Sequence, residues 1–162
     1  MYRGKLLEIG LPKEIAPAAR FLDAPENSEL ASLYDLWRNK RGLRLVPSKS
    51  DFDPAEFTAL LPDVFIMQVD GPYTVRLVGE RVVEFFGRST KGHPAGTFMS
   101  PEGRDAMKRL MDLVVERRTP IFRAGVAYWS ASKPHKRFEA CFLPLSSDDR
   151  SVDAILAAVK FS

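Results

Sequence analysis

The chain opens with a segment that has no clear hydrophobic period. Three prolines interrupt residues 1–27, so we predict an arm that packs on the body or on a partner. From Ser28 the pattern changes to one apolar stripe with helical spacing, and Gly42 ends it. A second, short helix is predicted from a capping box that Asp53 begins and Glu56 closes. The stripe of the first helix consists of Leu30, Leu33, Tyr34 and Trp37.

Apolar runs of strand length predict five strands after these helices. The first two, residues 64–69 and 73–78, flank Asp70-Gly71-Pro72 and indicate a hairpin. Three more are predicted at residues 121–129, 136–143 and 152–159. Alternation places three sets of residues on single strand faces: Tyr73, Val75 and Leu77; Phe122, Ala124, Val126 and Tyr128; Phe138, Ala140 and Phe142.

Two helices are predicted between the hairpin and the last three strands. The first covers residues 80–86, and the second begins at Ser100-Pro101 and stops before Thr119-Pro120. The short connections after Pro120 exclude a parallel sheet, which needs crossovers. The fold class is therefore α+β: a five-stranded antiparallel sheet with helices on one face and an N-terminal helical extension. The stripe of the long helix is Met107, Leu110, Met111 and Val114.

Composition adds few constraints. A chain of 162 residues with 45% apolar and 28% charged residues is ordinary for one soluble domain. No stretch approaches the roughly 20 apolar residues of a membrane span, so no membrane insertion is expected. The net charge of +3 is too small to indicate nucleic acid. The single Cys141 fits a reducing cytoplasm, which is the expected location.

Three groups of short motifs occur in order between about residues 28 and 160. As a set they resemble the signatures of a PAS-like family that is found mostly in alphaproteobacteria and was formerly a domain of unknown function. Lys49 departs from that pattern, because the family has Arg there; Lys keeps the charge but not the bidentate fork. The motifs include Tyr34-Asp35-Leu36-Trp37, Arg41-Gly42-Leu43-Arg44, Leu60-Leu61-Pro62, Arg76-Leu77-Val78-Gly79, Phe86-Gly87-Arg88 and Leu143-Pro144-Leu145.

The resemblance implies a PAS-like domain over residues 28–162, preceded by the arm. Domains of this kind are sensor and interaction modules that often hold a small molecule between sheet and helices, and they often pair. Most are joined to an output domain, for which this chain has no room. We therefore expect a stand-alone sensory module that acts through a signalling protein partner and forms a homodimer. A small enzyme that uses the same cavity and a purely structural dimerisation domain remain alternatives.

Two sets of site residues follow from these patterns. A ligand cavity would take its walls from the sheet and the long helix, although the same residues suit a packed core. A basic run from Arg38 to Lys49 suggests an interaction surface instead. The cavity candidates are Leu77, Met107, Met111, Phe122, Val126, Phe138 and Phe142, and the surface candidates are Trp37, Arg41, Arg44 and Lys49. For Trp37 we favour a core position, because apolar stripes are usually core.

No metal or cofactor is predicted, beyond an unidentified small apolar ligand. His93 and His135 lack a second ligand at metal spacing. The long helix has no His for haem, and Cys141 lies outside the Asn-Cys-Arg motif of flavin-binding light sensors. The basic run lacks the interleaved aromatics of a nucleic-acid site. No catalytic motif occurs, so the chain is not expected to be an enzyme.

One further expectation concerns the strand arginines. Arg76 and Arg123 lie opposite the apolar faces in the predicted strands. A buried Arg demands a carboxylate, and Glu139 on a neighbouring strand is a candidate. An exposed sheet face, on which the arginines meet solvent or a second copy, is an equal alternative.

Overall fold

A computed structural model describes residues 19–162, in which one antiparallel sheet has helices packed against both of its faces. The strands lie in the order β1-β4-β5-β6-β2-β3, so the fold class predicted from the sequence is confirmed, with six strands in place of five. The strands are β1 Ala19–Leu22, β2 Val64–Val69, β3 Tyr73–Val78, β4 Ile121–Val126, β5 Arg137–Leu145 and β6 Ala154–Phe161.

Three α-helices and two 3-10 helices connect these strands. The α-helices are α1 Ser28–Arg41, α2 Glu80–Phe86 and α3 Pro101–Arg117, and the 3-10 helices are Lys49–Asp51 and Pro54–Asp63. Asn27, one residue before the predicted cap, caps α1 by accepting from the amides of Glu29 and Leu30 at 2.9 and 3.1 Å. The predicted caps Asp53 and Ser100 are confirmed.

The two faces of the sheet carry separate apolar cores. On one face α2 and α3 pack with β2, β3, β5 and β6, through residues such as Val82, Leu110 and Phe142. On the other face α1 packs across β4, β5 and β6 through Leu30, Leu33 and Trp37. The helix α1, predicted as an N-terminal extension, thus covers the second face of the sheet, for which the sequence predicted no helix. Six consecutive residues of β5 (140–145) and six of β6 (154–159) are buried as a result.

The sixth strand comes from the segment assigned to the arm. Ala19–Leu22 pairs with β4 at the edge of the sheet, with Phe21 opposite Arg123. Residues 1–18 of that arm lie outside the described residues. The link from β1 to α1 is held by Glu139, whose carboxylate accepts from the amide N–H of Glu26 at 2.8 Å and of Asn27 at 3.0 Å.

Two strand faces differ from the predicted ones. Arg76 is an extra residue in β3, because Val75 pairs with Met67 while Leu77 pairs with Ile66. This bulge turns Leu77 away from the face of Val75 and leaves it 43% exposed. In β4 the side chains alternate as predicted, but the set expected to line the cavity lies on the other face. Phe122 and Ala124 pack against α1, and Arg123 faces α3.

Trp37 joins α1 to the centre of the sheet. Its side chain is 1% exposed, and its indole Nε1–H donates to the carbonyl oxygen of Pro144 at 2.8 Å. Arg41 lies over the ring, with its guanidinium carbon 5.5 Å from the ring centroid. The buried position that we favoured for Trp37 is therefore confirmed.

Replacing Trp37 by Phe tests this link. Trp37→Phe removes the indole donor and part of the ring, so we expect the free energy of unfolding to fall by about 2 kcal/mol in urea titrations. Leu43→Ser is the control, because Leu43 is 108% exposed and its replacement should change stability by less than about 0.5 kcal/mol. Equal stability of Trp37→Phe and the unchanged protein would contradict the assignment.

Candidate ligand-binding site

A cavity of about 500 Å³ lies between the sheet and the α2–α3 layer. Its floor is formed by β4, β5 and β6, and its walls by α2, by the segment 95–100 and by the first half of α3. Eight aromatic side chains contribute to the lining. They are Phe65, Phe86, Phe98, Tyr128, Trp129, Phe138, Phe142 and Phe161.

Cross-strand pairing sets the floor of the cavity. Phe138 pairs with Phe161, and Phe142 lies between Ile121 and Ala157, which gives two rows that contain phenylalanine side chains, with a third row between them. That middle row runs through Arg123, Ala140 and Val159. Because Ala140 is small, the floor is low in its centre, and the space above it belongs to the cavity.

Two close approaches fix the wall beside α3. The amide of Ser100 donates to the carbonyl oxygen of Trp129 at 2.8 Å. Gly103, in the first turn of α3, touches Trp129 so closely that a Cβ on Gly103 would lie 2.3 Å from the Trp129 Cβ. Only glycine fits there, and the contact keeps the indole of Trp129 beside Phe85 and Phe138, with ring centroids 5.6 Å from each.

The cavity candidates divide into two groups. Met107, Phe138 and Phe142 line the cavity. The other four do not: Met111 packs in the core beside it, Phe122 lies on the α1 side of the sheet, Val126 pairs with Arg137 at the end of β4, and Leu77 is turned outward by the bulge. The main omissions from the sequence-based set were Phe65, Phe86, Trp129 and Phe161. They were missed because the sequence pattern of an aromatic residue is the same whether it faces a cavity or a packed core.

Arg123 is the buried charged residue of the lining, and the sequence-based set missed it. It is 8% exposed and lies in the cavity floor, where its guanidinium carbon is 5.9 Å from the ring centroid of Phe21 and 6.0 Å from that of Phe138. Glu139, the carboxylate suggested for it, lies on the opposite face and binds backbone amides. Arg76 is exposed and donates to Gln68 at 2.6 Å.

The surface candidates do not form one patch. Trp37 is buried, and Arg41 lies over its ring. Arg44 donates to Asp51 and to the carbonyl oxygen of Lys40, both at 2.6 Å. Lys49 is exposed on the first 3-10 helix. An interaction role for these four residues stays a prediction.

A buried ion cluster joins the layers beside the cavity. Asp63 is 3% exposed and accepts two hydrogen bonds from Arg81 at 2.8 Å and one from Lys160 at 3.1 Å. Lys160 also pairs with Glu29 of α1 at 3.1 Å. Burial acts to raise the pKa of Asp63, but the bonds from Arg81 and Lys160 outweigh it and hold that pKa below its usual value.

Replacing Asp63 by Asn tests the cluster. Breaking a buried pair costs about 3–5 kcal/mol, and because Arg81 is half exposed we expect Asp63→Asn to lower the free energy of unfolding by about 2–3 kcal/mol at pH 7. The lowered pKa means that the stabilisation is complete above the ordinary Asp value of about 3.9 and is lost as the pH falls through the folded-state pKa. The difference between the two proteins should therefore shrink below about pH 4.

The matched control for this variant is Asp35→Asn, since Asp35 forms an exposed pair with Arg38. Urea titrations should detect no change for it at pH 7. A difference between Asp63→Asn and the unchanged protein that stays constant from pH 7 to pH 3 would contradict the ionised, paired state of Asp63.

Within residues 19–162, no cluster of three or more His, Cys, Asp or Glu side chains could hold a metal ion. Both histidines lie in exposed loops. No helix in that range is long and apolar enough to cross a membrane.

Comparison with known families identifies the class of protein. The sequence matches the PAS domain family over residues 26–160, which is most of the chain, and the protein therefore belongs to that family. The match covers α1 and the 3-10 helices as well as the sheet, and it begins just after β1. PAS domains are typically sensory rather than catalytic. No curated protein matches the sequence.

Solved structures are similar to this chain at low sequence identity, and the first of those below supports the same fold. An RNA-binding light-oxygen-voltage receptor is 10% identical with a TM-score of 0.51, and the match covers 88% of this chain and 38% of that one. A sensory box sensor histidine kinase from Vibrio cholerae is 19% identical over 67% of this chain and 87% of that one, with a TM-score of 0.49. The PAS domain of an HTR-like protein from Haloarcula marismortui is 16% identical over 67% and 90%, with a TM-score of 0.42.

Proposed function

We propose that this PAS domain is a sensory module whose signal is a small, largely apolar ligand bound in the cavity. The observation that carries the proposal is the cavity itself. Its volume of about 500 Å³ lies within the roughly 300–1,000 Å³ of small-molecule sites, and its lining is mostly apolar, with several aromatic rings and a few polar groups.

The size of the cavity favours a binding site over an ordinary core. Protein interiors are close-packed, and empty space in them lowers stability by leaving side chains without neighbours. A space of about 500 Å³ walled by large aromatic rings gives a ligand many contacts and excludes water from them. The sequence alone did not distinguish a ligand cavity from a packed core, and the volume of the space favours the cavity.

The lining also favours sensing over catalysis. Among the described lining residues, the charged groups are Glu102, Asp105 and Arg109 on the exposed side of α3 and Arg123 in the floor. General acid–base catalysis needs a titratable group that reaches the reacting atom with a pKa near neutrality. Arginine is not such a group, and the two carboxylates lie at the mouth.

The output of the module is contact with a signalling protein in the cytoplasm. Support comes from the ion cluster, because Lys160 follows the lining residue Val159, and Arg81 precedes the lining residue Val82. A ligand that moves Val159 and Val82 shifts Lys160 and Arg81, which are the partners of Asp63. Lys160 also pairs with Glu29, so the movement reaches α1.

We extend the proposal to a homodimer in which the outer side of α1 is the contact surface, since the sheet face beneath α1 is covered.

A substitution that fills the cavity tests the proposal. Ala140 lies at the low centre of the floor, so Ala140→Leu places three more carbon atoms in the cavity without touching the α1 side. The probe is N-phenyl-1-naphthylamine, an uncharged aromatic dye that fluoresces in apolar sites. We expect the unchanged protein to bind the dye and Ala140→Leu to bind it at least about tenfold more weakly, since losing about 1.4 kcal/mol of contacts suffices.

The matched control is Ala55→Leu, which adds the same atoms at an exposed position on the second 3-10 helix. It should bind the dye like the unchanged protein. Native and denaturing mass spectra of the purified protein form a second readout, in which a mass present only in the native spectrum should disappear in Ala140→Leu. Equal dye binding by Ala140→Leu and Ala55→Leu would contradict the assignment of the cavity as the site.

A further inference from the structure

The connection from β4 to β5 carries a cluster of basic side chains. We call residues 130–137 the basic loop; no acidic residue occurs in it, and its basic side chains are partly or fully exposed. Within the described range 19–162, no Asp or Glu side chain forms a salt bridge with any of them. The positive charge of the basic loop is thus available to a binding partner. Its basic members are Lys133, His135, Lys136 and Arg137.

The basic run at the end of α1 differs from the basic loop in this respect. Most of its cations already pair with carboxylates on the same surface, and a paired charge attracts an outside anion less than an unpaired one does. The basic loop is therefore the stronger site for a negatively charged partner, although the run holds more cations. The pairs in the run are Arg38–Asp35, Lys40–Glu56 and Arg44–Asp51.

The basic loop is also joined to the cavity wall. Trp129, which lines the cavity, directly precedes it, and the amide of Lys133 donates to the hydroxyl oxygen of Ser130 at 3.0 Å. The side chain of Lys133 donates to the carbonyl oxygen of Glu84 at 3.2 Å, and its Nζ lies 5.3 Å from the ring centroid of Phe85. Because the rings of Phe85 and Trp129 also pack together, with centroids 5.6 Å apart, a movement of Trp129 reaches Lys133.

Tyr128 adds an aromatic surface beside these cations. Its side chain is 65% exposed, and the amide of Ala127 donates to the carbonyl oxygen of Lys136 at 2.8 Å, which places Tyr128 next to the end of the basic loop. Tyrosine and arginine are enriched at protein–protein interfaces. Within residues 130–137 no large apolar side chain is exposed, which disfavours a lipid surface. One short loop also offers fewer phosphate contacts than nucleic-acid sites use.

We propose that the basic loop is the surface at which this module contacts its signalling partner, and that the partner contributes an acidic segment with an apolar or aromatic side chain. Carboxylates of that segment contact Lys133, Lys136 and Arg137, and its apolar side chain contacts Tyr128. A ligand in the cavity acts on this contact through Trp129. The inference rests on the proposed function, because it names the surface through which the sensor signals; the outer side of α1 is left to the homodimer.

A glutamate-rich octapeptide labelled with fluorescein tests the proposal on the whole chain. It has one tyrosine and one leucine among its glutamates, and the matched control peptide has glutamine in place of every glutamate. Fluorescence anisotropy measures the affinity of each peptide. We expect the acidic peptide to bind at least about tenfold more tightly than the control. That advantage should shrink as the salt concentration rises from about 50 to about 300 mM, since salt screens exposed charges.

Paired variants with the same change in net charge assign the site. Lys136→Gln combined with Arg137→Gln should weaken binding of the acidic peptide by about 3- to 30-fold, because each exposed contact between opposite charges contributes a few-fold. Lys91→Gln combined with Arg150→Gln is the matched control, since both side chains are exposed and lie outside the basic loop. The control pair should change the affinity by less than about twofold.

Gly103→Ala tests the link to the cavity without any ligand. A Cβ on Gly103 meets Trp129, so the variant displaces Trp129, and we expect the affinity for the acidic peptide to change by at least about threefold. Ala55→Leu, on the exposed surface of the second 3-10 helix, should leave that affinity unchanged. Circular dichroism identifies any variant that does not fold, and the comparison of the two peptides on the unchanged protein stands without the variants.

The outcomes separate this inference from the proposed function. If N-phenyl-1-naphthylamine does not bind the unchanged protein, the proposed function fails, and the peptides decide the role of the basic loop independently. The inference is overturned if the two peptides bind alike, if both paired variants weaken the acidic peptide equally, or if folded Gly103→Ala binds it like the unchanged protein. Tighter binding of a single-stranded RNA of equal charge, or of phosphatidylglycerol vesicles, to the same residues also overturns it.

Discussion

Burial of β5 and β6 on both faces is the constraint on which the rest of the structure depends. An antiparallel sheet commonly leaves one face in water, but here α1 covers one face and α2 and α3 cover the other. Polar groups next to these strands must then find partners inside the protein. The indole of Trp37 meets the carbonyl of Pro144, the carboxylate of Glu139 holds two backbone amides, and Lys160 joins Asp63 to Glu29.

The same double burial explains which parts of the fold the sequence predicts. Turns, most helix caps and most strand positions follow from local chemistry, so the helices, strands β2 to β6 and the antiparallel fold class were predicted. Strand faces are harder, because in β4 both alternating sets contain apolar residues, and Phe122 then looks as suitable for the cavity as its neighbours. The bulge at Arg76 leaves no local signal, and it reversed the face of Leu77. The edge strand β1 has only four residues, too few for a period to show.

The cavity could be predicted only in part, for a different physical reason. Met107, Phe138 and Phe142 were found because a lining residue shares the apolar pattern of a core residue. Whether space remains between such residues depends on how volumes add up in three dimensions. Here the volume that remains empty depends on the small Ala140 and Gly125 in the floor and on Gly103, which lets α3 touch Trp129. The sequence shows Arg123 as an arginine inside an apolar strand, but it does not show which face of the sheet Arg123 lies on.

The strand order has a consequence for biosynthesis. β6 lies between β5 and β2, yet it is the last strand of the sheet to leave the ribosome. The β2–β3 hairpin is complete at residue 78 and has no neighbour for its inner edge until residues 154–161 emerge. At about 5–20 residues per second, that interval is roughly ten seconds. During it, β2 presents an unpaired edge and α1 presents Leu30, Leu33 and Trp37 without the surface that covers them. The nascent chain therefore exposes an unpaired strand edge and an apolar helix face during most of the synthesis of the domain.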